Sequence, residues 1–107
     1  MVARNDIVWA SLGAPAGRRP VCVLTRDAAI GVLSALVCVP VTRTARGIRS
    51  EVAVADEEGL PEPSVLACDT IITVPKSALE SQPVGRLGLV KRAELDRALR
   101  YALDIAY

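Results

Sequence analysis

The sequence contains no histidine. No imidazole is therefore present to act as general base, general acid or metal ligand near neutral pH. Phenylalanine is absent too, and Trp9, Tyr101 and Tyr107 are the only aromatic residues. That argues against an RNP-type stacking platform and leaves little aromatic interleaving for nucleic-acid bases. Cysteine is sparse and odd in number. Cys22, Cys38 and Cys68 each lie inside an apolar run, and none forms a C-x-x-C pair. A secreted disulfide framework uses an even count, so these read as buried free thiols in a reducing cytoplasm. The longest apolar stretch, residues 28–41, is interrupted by Gly31 and Ser34 and falls short of the ~20 residues of a membrane span. Met1 to Asp6 show no charged n-region, h-region or small-residue cleavage site. The expectation is a cytoplasmic protein with no membrane partner.

What is present supports a folded core. A chain of 107 residues, 51% of them hydrophobic, is expected to form a single domain over residues 1–107 without metal or disulfide support. The formal net charge is only +1, but its distribution is uneven. Between Arg18 and Ser50 stand six arginines (Arg18, Arg19, Arg26, Arg43, Arg46, Arg49) against one acid, Asp27. Residues 51–69 then carry six acids and no base. The basic part suits a polyanion; arginines that merely solvate loop ends would produce the same pattern.

Strand signals come first along the chain. Residues 7–10 are short, apolar and β-favouring, and 20–25 form a continuous β-rich run that predicts a strand buried on both faces. Residues 27–34 read either as a helical turn or as a loop. A third strand covers 35–42, with Pro40 expected at an edge, bulge or strand end because it cannot donate to a ladder. Residues 51–54 predict a fourth strand and 65–74 a fifth, kinked near Asp69-Thr70. From 91 to 105 the apolar residues Leu95, Ala98, Leu99, Ala102 and Leu103 follow helical spacing, with Gly88 as N-cap. Short strands with one terminal helix describe a mainly β fold, a small and partly open β-barrel closed by a C-terminal helix.

The segments Asn5-Asp6-Ile7-Val8-Trp9, Arg19-Pro20-Val21 and Val39-Pro40-Val41-Thr42, taken in order, resemble those of the MazF/PemK family of toxins. Asn5-Asp6-Ile7-Val8-Trp9 is similar to its opening G-D-I-V-W strand, Arg19-Pro20-Val21 to its R-P-V segment, and Val39-Pro40-Val41-Thr42 to its V-P-x-T strand end. Glu58-Gly59-Leu60 with Ser64-Val65 resembles E-G-L-x-x-x-S-V, and residues 69–76 resemble D-Q-I-R-T-V-D-K; Gly85-Arg86-Leu87-Gly88 then leads to the helix. The resemblance implies an SH3-like barrel of the kind also found in gyrase-poisoning toxins. It implies a homodimer that cleaves single-stranded RNA without metal or other cofactor, and a cognate antitoxin that neutralises it with an extended acidic tail. In the family the arginine of R-P and the threonine of V-P-x-T form the catalytic pair; here these are Arg19 and Thr42. Arginine binds two phosphate oxygens at once and stays charged, and threonine donates or accepts a hydrogen bond. Arg18, Arg43, Arg46, Asp69 and Thr70 are the candidate substrate-binding residues, with Arg49 a further phosphate contact.

The departures from the family pattern concern the groove. The loop at 11–17 is short and lacks the acidic residue that the family often carries there. Thr70, Ile72 and Pro75 replace the family's glutamine, arginine and aspartate at positions that line its RNA groove, which implies a different RNA preference. Asp69 is retained, either as an acceptor for a base edge or as a buried or turn carboxylate. Two other readings of the same barrel are a gyrase-binding toxin and a catalytically inactive partner of an antitoxin. The gyrase group uses its C-terminal end, typically with a tryptophan, whereas this chain ends Asp104-Ile105-Ala106-Tyr107.

Overall fold

The computed structural model describes residues 1–106; Tyr107 lies outside the described residues. Seven strands form one curled antiparallel sheet: β1 (Asp6–Ser11), β2 (Arg18–Val23), β3 (Ala35–Thr42), β4 (Glu51–Val54), β5 (Ser64–Ala67), β6 (Ile72–Pro75) and β7 (Gly85–Arg86). A single turn of helix, α1 (Asp27–Ile30), follows β2, and α2 (Leu89–Leu103) closes the chain. The strand order is β4-β5-β3-β2-β1-β7, with β6 paired to β3.

β3 organises the sheet. One edge pairs with β2 through Val21↔Pro40, Cys22↔Val39 and Val23↔Cys38. The other edge pairs with β6 over residues 35–38 and with β5 at 41–42. Pro40 sits in the gap between those two partners, where no ladder bond is asked of it on that edge. The gap also corrects the expectation of one long strand over 65–74. A 3₁₀ turn at Cys68–Thr70 breaks it, and the two halves pair with opposite ends of β3.

Both faces of the central strands are buried, which explains the unbroken apolar run of β2. Ile7, Cys22, Val39, Val41 and Leu66 face one core, with Leu95 and Ala98 of α2. Val8, Ala10, Val21, Val23, Leu36 and Cys38 face a second, with Ile30 and Val74. The terminal helix begins and ends two residues earlier than its apolar spacing predicts, at Gly88 and at Asp104, whose φ of 55° stops it. No helix among the described residues is long and apolar enough to cross a membrane.

Local geometry accounts for several motif residues. Asn5, at the family's glycine position, has φ of 73°, a left-handed conformation that asparagine tolerates better than most residues. Buried Asp6 accepts the N–H of Ala3 at 2.8 Å, and buried Glu58 accepts that of Ala55 at 2.7 Å. The two ends of the sheet meet where Glu58-Gly59 presses on Val84-Gly85. A Cβ on Gly85 would lie 2.0 Å from the Glu58 carbonyl oxygen, and one on Gly59 2.0 Å from that of Val84.

Candidate active site

The β2–β3 register brings together residues that are far apart in sequence. Val21 opposes Pro40 where the β2–β3 pairing ends, and Arg19 and Thr42 lie two residues beyond that pair on their strands. Both side chains line a hollow of about 400 Å³ with Arg18, Arg43, Trp9 and Glu62. A second hollow of about 240 Å³ lies on the other side of Thr42 and takes in Arg46, Asp69 and Thr70. Thr42 lines both. The catalytic and substrate-binding candidates other than Arg49 thus each border one of two adjoining hollows.

The charges of the first hollow are distributed unequally. Arg18 forms a two-point ion pair with Glu80, at 2.6 and 3.0 Å, and stacks over Trp9, 4.2 Å from the ring centroid. The hydrogen bond from Arg18 is the main reason the Glu80 carboxyl sits below its ordinary pKa. Arg43 is ion-paired with Glu62. Arg19 has no carboxylate partner among the described residues. Its Nε donates to the Ala16 carbonyl at 3.0 Å, which holds the guanidinium by one corner and leaves its two terminal nitrogens unengaged. The half-buried Thr42 accepts the Thr44 N–H through Oγ1 at 3.2 Å and keeps its hydroxyl hydrogen for another acceptor.

In the second hollow, Asp69 is exposed within its 3₁₀ turn and accepts from Ser50 Oγ at 2.5 Å. It is therefore a turn carboxylate that also faces the hollow. Arg46 borders the hollow while its own N–H bonds Glu51 at 3.0 Å. Of the three altered motif positions, only Thr70 lines a hollow. Ile72 packs on the second core, and Pro75 pairs with Ala35 at the far end of β3, so neither borders the two hollows. Arg49 stacks over Tyr101 of α2, 4.4 Å from its centroid, away from both hollows. Glu80, Glu62 and Ser50 escape sequence reading, since each owes its place to a partner at least 19 residues away.

With this geometry in view, the chain proves to match the family model for the "PemK-like, MazF-like toxin of type II toxin-antitoxin system" over residues 3–103. The chain belongs to this family. It is 36% identical over 103 residues to the "Probable endoribonuclease MazF5" of Mycobacterium tuberculosis, covering 95% of this chain and 93% of that one. Among solved structures, "Mycobacterium tuberculosis toxin MazF-mt6" superposes with a TM-score of 0.88 at 33% identity, covering 95% of this chain and 99% of that one. A mycobacterial "Endoribonuclease in complex with its cognate antitoxin" has the same fold, with a TM-score of 0.87 at 23% identity and coverage of 100% and 99%. The PemK/MazF fold, a curled antiparallel sheet forming a half-barrel with a C-terminal helix, is therefore the fold of this chain.

Proposed function

We propose that this PemK/MazF-family chain is a metal-independent endoribonuclease toxin that cleaves single-stranded RNA at short sequence motifs, with Arg19 and Thr42 as its catalytic pair. The observation that carries the reading is the charge arrangement of the first hollow. Arg18 and Arg43 are neutralised by Glu80 and Glu62, whereas Arg19 keeps its charge and its terminal nitrogens for a phosphate. Relatives named as endoribonucleases favour this over a gyrase-directed or inactive barrel.

The chemistry needs no cofactor. The ribose 2′-oxygen gives up its proton and attacks the adjacent phosphorus, the bond to the 5′-oxygen breaks, the departing oxygen takes a proton from solvent, and a 2′,3′-cyclic phosphate and a 5′-hydroxyl result. Arg19 binds two phosphate oxygens and stabilises the negative charge that accumulates on them. Thr42, in the same hollow, donates its hydroxyl hydrogen to the same group. Arginine holds its proton throughout the working pH range and is a poor proton acceptor. Glu62 is the carboxylate on the rim of this hollow and supplies an acceptor for the 2′-hydroxyl proton. As a toxin of a type II system, the chain is expected to act as a homodimer in the cytoplasm and to be neutralised by a cognate antitoxin, whose acidic tail would compete for the charge at Arg19.

The test is cleavage of single-stranded RNA by purified protein in EDTA, with ends mapped. Arg19→Ala should lower the rate by about 10²–10³-fold, the usual cost of removing an electrostatic donor to the transition state, without loss of fold. Failure of the wild-type chain to cut any member of a whole cellular RNA pool would sink the reading.

A further inference from the structure

We propose that Glu51 is a positioning residue: its carboxylate clamps the loop between β3 and β4 in the shape that presents Arg46 beside Thr42. This rests on the endoribonuclease reading and adds to it a residue that makes no contact with RNA of its own.

Residues 43–50 need such a clamp. β5 lies between β3 and β4 in the sheet. The chain leaving Thr42 must therefore arch over the end of β5 instead of turning in a tight hairpin, and no ladder holds it. Residues 43–49 are all exposed, so burial does little to order them. It resumes only at Ser50, which is 1% exposed. A segment with so few anchors is mobile unless something ties it.

One carboxylate supplies the tie. Glu51 Oε1 accepts the N–H groups of Arg46 and Gly47, both at 3.0 Å, and that of Ile48 at 3.5 Å; its Oε2 also accepts from Arg46 at 3.2 Å. Gly47 has φ of 70°, a left-handed conformation that glycine adopts without strain. It helps turn three consecutive N–H groups inward, into the kind of concavity that binds an anion. Hydrogen bonds to an ionised acceptor are roughly twice as strong as neutral ones. At its other end the loop reaches the site directly, since Thr44 donates its N–H to Thr42 Oγ1 at 3.2 Å.

Electrostatics make the role testable by sign. The segment 43–51 carries Arg43, Arg46 and Arg49, and Glu51 is its one acid. A carboxylate with no role beyond its charge would repel RNA phosphates, and removing it would tighten binding. A clamp predicts the reverse, because apparent affinity falls with the fraction of time that the loop holds its binding shape.

The half-saturating RNA concentration and the rate at saturation, measured in EDTA for the full chain, Glu51→Ala and Glu51→Gln, test this. Glu51→Ala should raise the half-saturating concentration about 5- to 30-fold, as for a loop that holds the binding shape about a fifth to a thirtieth of the time. The rate at saturation should fall far less, because Arg19 stands on β2, outside the loop. Glu51→Gln keeps an oxygen acceptor in the same place without the charge and should recover most of the loss. Amide exchange at Arg46, Gly47 and Ile48 should quicken in Glu51→Ala while the melting temperature stays near that of the wild type. Unchanged or tighter RNA binding by Glu51→Ala, or unchanged exchange at those amides, overturns the clamp and leaves the nuclease standing. A wild-type chain that cuts nothing overturns the nuclease reading and the role of Glu51 in RNA binding with it.

Discussion

Replacing Gly85 by alanine adds one methyl group at the point where the two ends of the sheet touch. That Cβ would stand 2.0 Å from the Glu58 carbonyl oxygen and 2.5 Å from its carbon, against the 3.0 Å that Cβ atoms essentially never cross. Backbone on one side must therefore move by about 1 Å. The neighbouring atoms are main chain, so no side chain can swing aside. Overpacking of this kind costs about 1–3 kcal/mol, occasionally more. The reduced freedom of the unfolded chain returns about 0.4–1 kcal/mol. For a chain near this size each kcal/mol moves Tm by about 4–8 °C, so Gly85→Ala should melt roughly 5–15 °C lower. Gly31→Ala is the control: its backbone is ordinary right-handed helical and its Cβ would meet nothing within 4 Å. The same chemical change there should leave Tm unchanged or raise it by a few degrees. Thermal unfolding followed by circular dichroism reads both. Equal melting temperatures for the two variants would refute the contact between Glu58-Gly59 and Val84-Gly85. Because residues 58–60 lead directly to Pro61 and Glu62 on the first hollow, Gly85→Ala should also impair RNA cleavage.

Burial pushes the Cys22 thiol up to about 12 and those of Cys38 and Cys68 to about 11. In the unfolded chain thiols ionise near 8.5, so above that pH the unfolded state binds fewer protons and stability falls as pH rises towards 11. Denaturant titrations at stepped pH should show that fall, and a thiol reagent at pH 8 should label the native chain slowly and all three cysteines after unfolding; rapid native labelling would contradict the burial. Glu80→Gln should release Arg18 towards the first hollow and tighten binding of an uncleavable 2′-deoxy oligonucleotide, with a salt dependence steeper by about 0.7 in log K per log salt, one added phosphate contact. An unchanged slope would show that Arg18 does not face the nucleic acid. The Glu80 carboxyl lies below its ordinary range, so the pair's contribution is present above about pH 4.3 and is lost only as pH falls further, through the folded-state value.

Strands β3 and β4 and the two-sided burial of β2 were legible because apolar runs and β-branched residues mark them directly. The irregularity near Asp69-Thr70 was legible as a kink, but not as a full break at Cys68–Thr70, since only pairing with β3 shows that β5 and β6 serve its two halves. β7 has two residues and carries no periodicity. Arg19 and Thr42 were legible as motif positions, yet their meeting in one hollow follows from the pairing of β2 with β3. What distinguishes Arg19 from Arg18 and Arg43 was hidden altogether. It depends on Glu80 and Glu62, which lie 62 and 19 residues from the arginines they pair with. The Ser50–Asp69 bond likewise spans 19 residues and arises from the β4–β5 hairpin.

The central claim is that the unpaired guanidinium of Arg19, in one hollow with Thr42, stabilises the phosphate during cleavage. Its most direct test is the single-turnover rate of RNA cleavage in EDTA for the wild type, Arg19→Ala and Arg19→Lys, with melting temperatures measured in parallel. The account predicts cleavage by the wild type, a loss of about 10²–10³-fold in Arg19→Ala, incomplete rescue by lysine, which lacks the two-point grip, and unchanged melting. Cleavage by Arg19→Ala at the wild-type rate would contradict it.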